Sequence, residues 1–599
     1  MAFPTTKIEI AFNDGPYVAS PTWTDVTTDV RSLSVKRGRT DDYSQFPTGS
    51  ATVVLSNRTE KYNPLNTAGV YYGKLLPRRQ IQITAFAVSG YQSVFRGYIS
   101  GWPVSWTQGG LDSTVTIQCF DMLGLLADTQ FAADWSYPTI AALNPIYWFR
   151  GNDVEGSTTL QNIGSRTSQA TGPTSGSLTI IKQPSLAAGL PFECTTVYEG
   201  TTYQTAAFNG TGDTAITLMG WLRANQGTTT TSQVILNLLG VTASITIGAN
   251  GIISYNSVKA GDNYTASSTT GGFNGTVPHH FAMTMTGTTL KLYVDGVDVS
   301  GAVTVTFVGT SSQEQVQIKS CQFQELAGFN SALTQAQIQS VYNAGAAQFL
   351  ETTGARATRI MQTTSIAAAL RNVTATPINT VQDINVGGLV VAELQKTADS
   401  EGGDLFIDKS GVMQFTNQYY AATEGASANI ATFTDAGGNN PYGQNLDVEY
   451  TADNIANDVT VTFSGGGNVR TTSSTSQTSS GVASTTIDTY LSSITGATDL
   501  ATYEVAIRSV LKPQVSAIEA SVASTMAQWS KVLDLELLDP FTITRTPPAG
   551  TVFTQKMIVN SISHDISPSG WRTSIQGSAR YANWFVLDTS ALDGPDLLL

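Results

Sequence analysis

Period-two alternation opens the chain. KIEIAF, ATVVLSN, RRQIQITAFAV, SVFRGYISGW and STVTIQCF each place apolar side chains at every second residue, the pattern of half-buried strands. Antiparallel β-structure is therefore predicted up to residue 135. Near Ser136 the texture changes, as charge thins and Gly, Ser and Thr rise, and it changes back after Leu350 at ETTGARATRIMQ. An insertion is expected between those points. Within it MGWLRAN, SQVILNLLG, ASITIGANGIISYN, HHFAMTMTGTTLKLYVDGVDV and SCQFQELAGF read as short strands. Asp295-Gly296 is a hairpin signal, because both central residues of a type I′ turn need positive φ. A helix closes the segment: Thr334 and Gln337 form a capping box, Ala336, Ile338, Val341 and Tyr342 supply apolar contacts, and Gly345 is the expected stop.

Beyond Leu350 helix and strand mix. GLVVAELQKTADSEGG is helical up to its glycine pair, and DLFIDKSGVMQF is a hairpin turning at residues 408–411. The tract SGGGNVRTTSSTSQTSSGVAST, residues 464–485, is small and polar and is expected to be a mobile loop or linker. A helix then carries Leu500, Tyr503, Ile507, Val510 and Leu511 on one stripe and ends at Pro513. Strands return in LDLELLDPFTITRT, QKMIVNSISHDIS and GWRTSIQGSARY. The predicted domains are 1–135, β; 136–349, an inserted sandwich; 350–463, α+β; and 464–599, a linker, a helix and a β domain.

Composition narrows the function. The chain has 599 residues, 13% of them charged, and a net charge of −14, the wrong balance for gripping phosphate backbones. Residues 136–348 hold 10 acidic against 7 basic side chains, so −11 of that charge lies in the flanking parts. MAFPTTKIEIAFNDG has no cationic stretch followed by an apolar one, and no run approaches the ~18 apolar residues of a membrane span. A soluble, unexported chain without a membrane anchor is expected. Cys119, Cys194 and Cys321 are widely spaced and read as buried thiols in a reducing compartment.

The ordered set SVKRGRTDDYSQFPTGSATVVLSNRTEKYNPLN, YYGKLLPRRQIQI, FRGYISGWPVSW, DSTVTIQCFDMLGLLA, ADSEGGDLFIDKSGVMQF and IVNSISHDISPSGWRTSIQGS resembles the minor tail or baseplate hub proteins of long-tailed, siphovirus-type phages, especially those of actinobacteria. The resemblance covers both flanking portions. It implies mainly β hub domains of barrel-like form, with a few helices, assembled in the host cytoplasm into a homo-oligomeric ring, a trimer by preference, at the virion tail tip. Implied neighbours are the distal tail protein, the tape measure and a tail fibre or spike. In this family the Asn-Pro turn after Ser56 closes a β-domain and Arg78 and Arg79 begin its next strand. Those arginines either face solvent there or pair with a neighbouring subunit's carboxylates.

The insertion resembles laminin G-like, concanavalin A-type jelly-rolls, through NPIYWFRGNDVEGSTTLQNIGS, HHFAMTMTGTTLKLYVDGV and FQELAGFNSALTQAQIQSVYNAG. Such domains bind glycans, sometimes with calcium, and also serve as spacers. A host surface glycan is the ligand this implies. Tyr264 and Phe273 flank the polar loop GDNYTASSTTGGFNG and are the candidates for stacking on sugar. Asn152, Asp153 and Glu155 are the compact acidic cluster that could offer oxygen ligands to calcium, against the plainer reading of a solvated turn. Trp148 and Trp221 read as core.

Catalysis is not expected. His279 and His280 sit at a strand start, and His564 and Asp565, adjacent on a strand, point to opposite faces. No H-E-x-x-H, G-x-S-x-G or Walker-type loop occurs, although a carboxylate-pair glycosidase would be invisible to spacing. The rival readings are a wall-glycan hydrolase targeted by its sandwich and a free-standing adhesin or lectin.

Overall fold

The computed structural model describes residues 3–579 except 42, 89, 108, 132–134, 167–168, 176–179, 188–189, 191–192, 198–201, 206–214, 225–231, 239–240, 248–252, 260–261, 268–276, 287–288, 302–314, 320, 347–349, 374–378, 383–387, 421–429, 436–439, 442–445, 447, 450–451, 453–454, 464–465, 513 and 521–524. The chain forms two compact units, both mainly β. One is Met1–Phe131 with Leu350–Gln382 and Gly388–Leu599; the other is Ala132–Phe349 with Asp383–Gly387.

The first unit is built on a 15-stranded sheet. Its path runs from Thr24–Asp25 through Thr5–Ile10, Gln80–Phe86, Tyr91–Ile99, Ser113–Phe120, Ser50–Ser56, Val30–Gly38, Phe553–Ser567, Pro540–Arg545 and Ala431–Thr434 to Asn440–Pro441. The expected barrel-like form is corrected in one respect: among the described residues the path has two ends and closes no barrel. At one end Pro441 has no N–H to extend the ladder. The alternation read from the sequence is real, since Val115, Ile117 and Cys119 of one strand are buried while Thr114, Thr116 and Gln118 are not.

Strand Val30–Gly38 pairs antiparallel with Phe553–Ser567, Leu33 opposite Ile566 and Gly38 opposite Ser561. Stretches that the sequence assigns to separate domains thus share one sheet and one core, with Ile8, Val53 and Ile117 in the same cluster as Phe541, Ile562 and Trp571. Three consecutive residues fix this join. Arg37 reaches Glu536 at 2.6 Å. Gly38 has φ +101°, and a Cβ there would overlap the Asn560 carbonyl oxygen. Arg39 donates its backbone N–H to that same carbonyl at 3.0 Å. Glu536 also accepts from the Lys409 N–H at 2.7 Å, while the Lys409 ammonium donates to the carbonyls of Leu533 (2.8 Å) and Asp534 (2.7 Å) at the end of helix Met526–Asp534. A cation is the favoured charge at a helix C-terminus.

The polar tract at 464–485 is not a linker. Apart from residues 464–465 it folds into strand Gly467–Thr472, helix Ser474–Ser480 and the start of strand Ser484–Asp488, flanking Asp458–Phe463 in a three-stranded sheet. Two side chains just before the tract organise it. Buried Asn457 donates to Ser476 Oγ (3.1 Å) and the Gly481 carbonyl (2.7 Å) and accepts from the Ala483 N–H (2.8 Å). Asp458 binds Arg470 (2.6 Å) and Ser484 Oγ (2.8 Å). Helix Ile494–Arg508 covers one face through Leu500, Tyr503 and Ile507. It stops five residues before Pro513, and Val510 is exposed.

The second unit is a sandwich of two eight-stranded sheets. Leu160, Ala170, Tyr203 and Ile318 of one sheet pack against Leu218, Leu222, Phe281, Met283 and Phe323 of the other. Alternate residues of strand Ala215–Ala224 point the other way: Met219 joins Trp148, Ile338 and Val341 beneath helices Ser136–Ala141 and Gln335–Ala346. Asp295 (φ +50°) and Gly296 (φ +79°) form the expected two-residue hairpin loop, and the Thr334–Gln337 capping box is present. Gly345 does not stop the helix, which runs to Ala346. It is small because a Cβ there would overlap the Trp221 indole.

Gly38→Ala should cost about 3 kcal/mol, from positive φ and the clash with the opposite strand together. Denaturant unfolding checks this. A loss below about 0.5 kcal/mol would show that the join tolerates a side chain.

Candidate functional site

The first unit carries a cleft of about 930 Å³. Its walls are the loop after Gly38, helix Val390–Glu401 with Gly402 and Gly403, strand Ser484–Asp488, and Glu504 and Arg508 of the last long helix. The loop is bent locally. Asp41 accepts the N–H groups of Tyr43 (3.1 Å) and Ser44 (2.7 Å), a turn that an aspartate forms by mimicking backbone. Burial pushes the Asp41 carboxyl up, but the Ser44 hydroxyl, these N–H groups and the Arg39 charge outweigh it and hold it below the usual range. The helix ends as its glycine pair requires, Gly402 adopting φ +69°.

Ion pairs line the walls. Arg39, 3% exposed, donates to Asp404 Oδ1 and the Ser44 carbonyl, each at 2.7 Å, and stacks over Phe46 at 4.1 Å. Lys396 reaches Asp488 at 2.7 Å and lies over the Tyr490 ring at 4.3 Å. Arg508 is 3.5 Å from Glu504 and covers Tyr43 at 4.3 Å. Each cation of the cleft thus has a carboxylate beside it. Asp399, like Asp41, is hydrogen-bonded to neutral donors: its Oδ2 accepts from the amide of Gln45 at 2.9 Å. Burial pushes the Asp399 carboxyl up to about 6; the charges of Asp404 and Glu504 add to this, while the Gln45 hydrogen bond and the charge of Lys396 oppose it.

The residues singled out by sequence lie elsewhere. Asp153 is buried and accepts the Gln161 N–H at 2.7 Å, while Asn152 and Glu155 are exposed. Burial raises the Asp153 carboxyl, against the Gln161 hydrogen bond and the charge of Lys182. Among the described residues no three Asp, Glu, His or Cys side chains gather as a metal site. Tyr264 stands on strand Asp262–Ser267 opposite Ser257, where a loop was expected; its side chain lies outside the described residues, as does Phe273 altogether. Cys119 and Cys194 are buried thiols, and the Cys321 side chain is also outside the described residues.

The histidines hold structure. Asp295 accepts from the His280 N–H at 2.9 Å and meets His279 Nδ1 at 2.7 Å, tying the hairpin loop to the neighbouring, earlier strand His279–Thr286. Burial lowers His280 to about 4 and, with Arg37 and Lys409 nearby, His564 to about 3. Asp565 is exposed on the opposite face from His564. Trp148 and Trp221 are core. Arg78, exposed at φ +63°, and Arg79, which donates to the Asp14 carbonyl at 2.5 Å, lead into strand Gln80–Phe86.

No protein-family model and no curated protein sequence matches the chain. Among solved structures, the binding domain of Paraclostridial Mosquitocidal Protein 1 aligns at 10% identity over 35% of this chain and 54% of its own, with a TM-score of 0.28. Domain 4 of an extracellular arabinanase from Geobacillus stearothermophilus, solved with arabinotriose, aligns at 16% identity over 33% and 98%, TM-score 0.27. Trypanosoma rangeli sialidase with the inhibitor DANA aligns at 11% over 54% and 56%, TM-score 0.24. The chain spans about half the length of the first of these. Overlaps this loose carry no information about what the chain does.

Asp399 gives the cleft a measurable signature. Its carboxyl is raised in the folded state, so the stability it contributes is complete below about pH 4 and lost as pH rises through about 6. Asp399→Asn, permanently neutral, should match the wild-type melting temperature at pH 4 and exceed it by a few degrees at pH 7, a gain kept small because the group is partly exposed to solvent screening. An equal gap at both pH values would remove the titration at this site.

Proposed function

We propose that the chain is a structural subunit of a phage tail tip, a ring-forming hub whose inserted sandwich binds carbohydrate on the host surface. The observation that carries this reading is the closure of one sheet by strands from both sides of the insertion, around a stretch with a core of its own. A scaffold completed by both ends of a chain can carry a module without depending on it. The segments that resemble the hub family all fall in the first unit. The histidine of that unit, His564, is buried against Thr573 and Trp571 and serves its core.

A single shallow sugar site binds near the millimolar range, about −4 kcal/mol. Three linked copies engaging together raise avidity by about 10²- to 10⁴-fold. The ring therefore supplies the strength that one sandwich lacks. Its position in the virion puts the distal tail protein, the tape measure and a fibre or spike beside it.

Native mass measurement of tail tips should return a cyclic oligomer, a trimer by preference. Particles whose hub lacks residues 136–348 should assemble tails and fail to adsorb. One copy per particle would end the hub reading, unimpaired adsorption would make the sandwich a spacer, and sugars released from host wall by the purified chain would make it a hydrolase.

A further inference from the structure

Among the described residues strand Ser484–Asp488 is an edge. It pairs in parallel with Asp458–Phe463, Ser484 opposite Asp458 through Asp488 opposite Thr462, and the three-stranded sheet ends there. Backbone groups along a strand point alternately to its two sides, so part of this row faces away from its partner strand. Natural sheets blunt such edges with lysine, proline or a bulge, because an open edge is a template for another chain. The sequence STTID has no lysine, proline or bulge, and its pairing is in register throughout; its charged residue, Asp488, stands at the C-terminal end, paired to Lys396 of helix Val390–Glu401.

The same strand lines the cleft. Residues 485–488 form one wall, and helix Val390–Glu401 forms another, so the open edge borders a cavity of about 930 Å³. That is room for a length of chain, far beyond what a bare ion needs.

The charge in the cleft has one sign to offer. Asp399 lies in the last turn of its helix, where no basic residue stands and where the helix end is itself partly negative. Arg39, Lys396 and Arg508 already have Asp404, Asp488 and Glu504 beside them, and Asp41 is taken up by its own turn. A cation entering the cleft finds in Asp399 a carboxylate that is hydrogen-bonded to the neutral amide of Gln45 and not to a cation, with Lys396 one turn away drawn off by Asp488. The chain's own residues 580–599 are poorly suited to this place, having one arginine against three aspartates.

We propose that this cleft takes an extended peptide segment of another protein, added to the sheet along Ser484–Asp488, with a lysine or arginine of that segment paired to Asp399. Backbone hydrogen bonds along the edge supply affinity and the acidic pocket selects the side chain, the division of labour of strand-addition sites. The site lies wholly in the first unit. It holds whatever the sandwich binds and whether or not the chain forms a ring.

The test uses the full chain, fluorescently labelled, against bead-displayed octapeptides randomised at every position. At pH 7.5 the retained beads should be enriched in lysine and arginine, and the best peptide should bind about tenfold more weakly to Asp399→Asn and lose affinity when its alternate backbone nitrogens are methylated. As pH falls through about 6, where Asp399 takes up a proton, binding to the wild type should weaken while binding to the variant stays level. Asp404, Glu504, Lys396, Arg39, Asp41, Arg508 and Asp488 also face this space and are unchanged in the variant, so the difference between the two proteins isolates Asp399. Retained beads without basic enrichment, no retained beads, equal affinity for the variant, or indifference to methylation would each overturn the proposal.

Discussion

The pairing of Val30–Gly38 with Phe553–Ser567 is the constraint on which the first unit rests. It joins residues at opposite ends of the chain, and the three residues at its end act in different ways. Arg37 holds Glu536, 499 positions away, Gly38 lets the strands approach, and Arg39 holds Asp404, 365 positions away. Such buried pairs add little net stability, because desolvation offsets the attraction. Breaking one by removing a partner costs about 3–5 kcal/mol. Their effect is to make any other register expensive. A slip of one residue would turn Leu33 and Val35 outward and leave two guanidiniums without their carboxylates.

Closing so long a loop is less of a burden than its length suggests. The entropic cost grows only logarithmically, about 0.6 kcal/mol per doubling. A sandwich with its own core, folding within the loop, shortens the flexible length further. The second unit is thus compatible with the join by being compact in itself, and its surface can vary without disturbing the sheet. That separation also appears in the charges, −3 in the insertion against −11 in the flanks.

Local signals were legible and partners were not. Period-two alternation located the strands, Asp295-Gly296 its hairpin and Thr334-Gln337 its helix start, because each depends on residues within four positions. Gly345 was misread because glycine ends helices and also admits close neighbours; only the Trp221 indole, over a hundred positions away, decides between them. The tract 464–485 was misread for the same reason. Its own residues cannot pack a core, but Asn457 and Asp458, outside it, satisfy its backbone and side chains while a helix after it supplies the apolar cover. The cleft left one trace in the sequence, the dense charge of KRGRTDDY in a chain that is only 13% charged. Nothing local shows that its arginines are paired to distant acids while Asp399 meets the neutral amide of Gln45.

That distinction decides what the cleft can attract. Three guanidinium and ammonium groups beside it would suit a phosphate or carboxylate if they were free, yet each is already beside an acid, and pairing them lowers the positive potential while stiffening the walls. The remaining field comes from Asp399, the helix end behind it and the acidic excess of the flanking portions. Beyond the Debye length of about 8 Å at physiological salt the excess charge is screened, so it contributes to approach rather than to grip. Within the cleft water is partly excluded and the attraction is stronger. A cationic side chain is therefore drawn in weakly from outside and held at a single carboxylate, while the adjoining backbone edge discriminates a peptide from a free amine. Neither feature would suffice alone: an edge without the charge accepts any strand, and the charge without the edge accepts any cation.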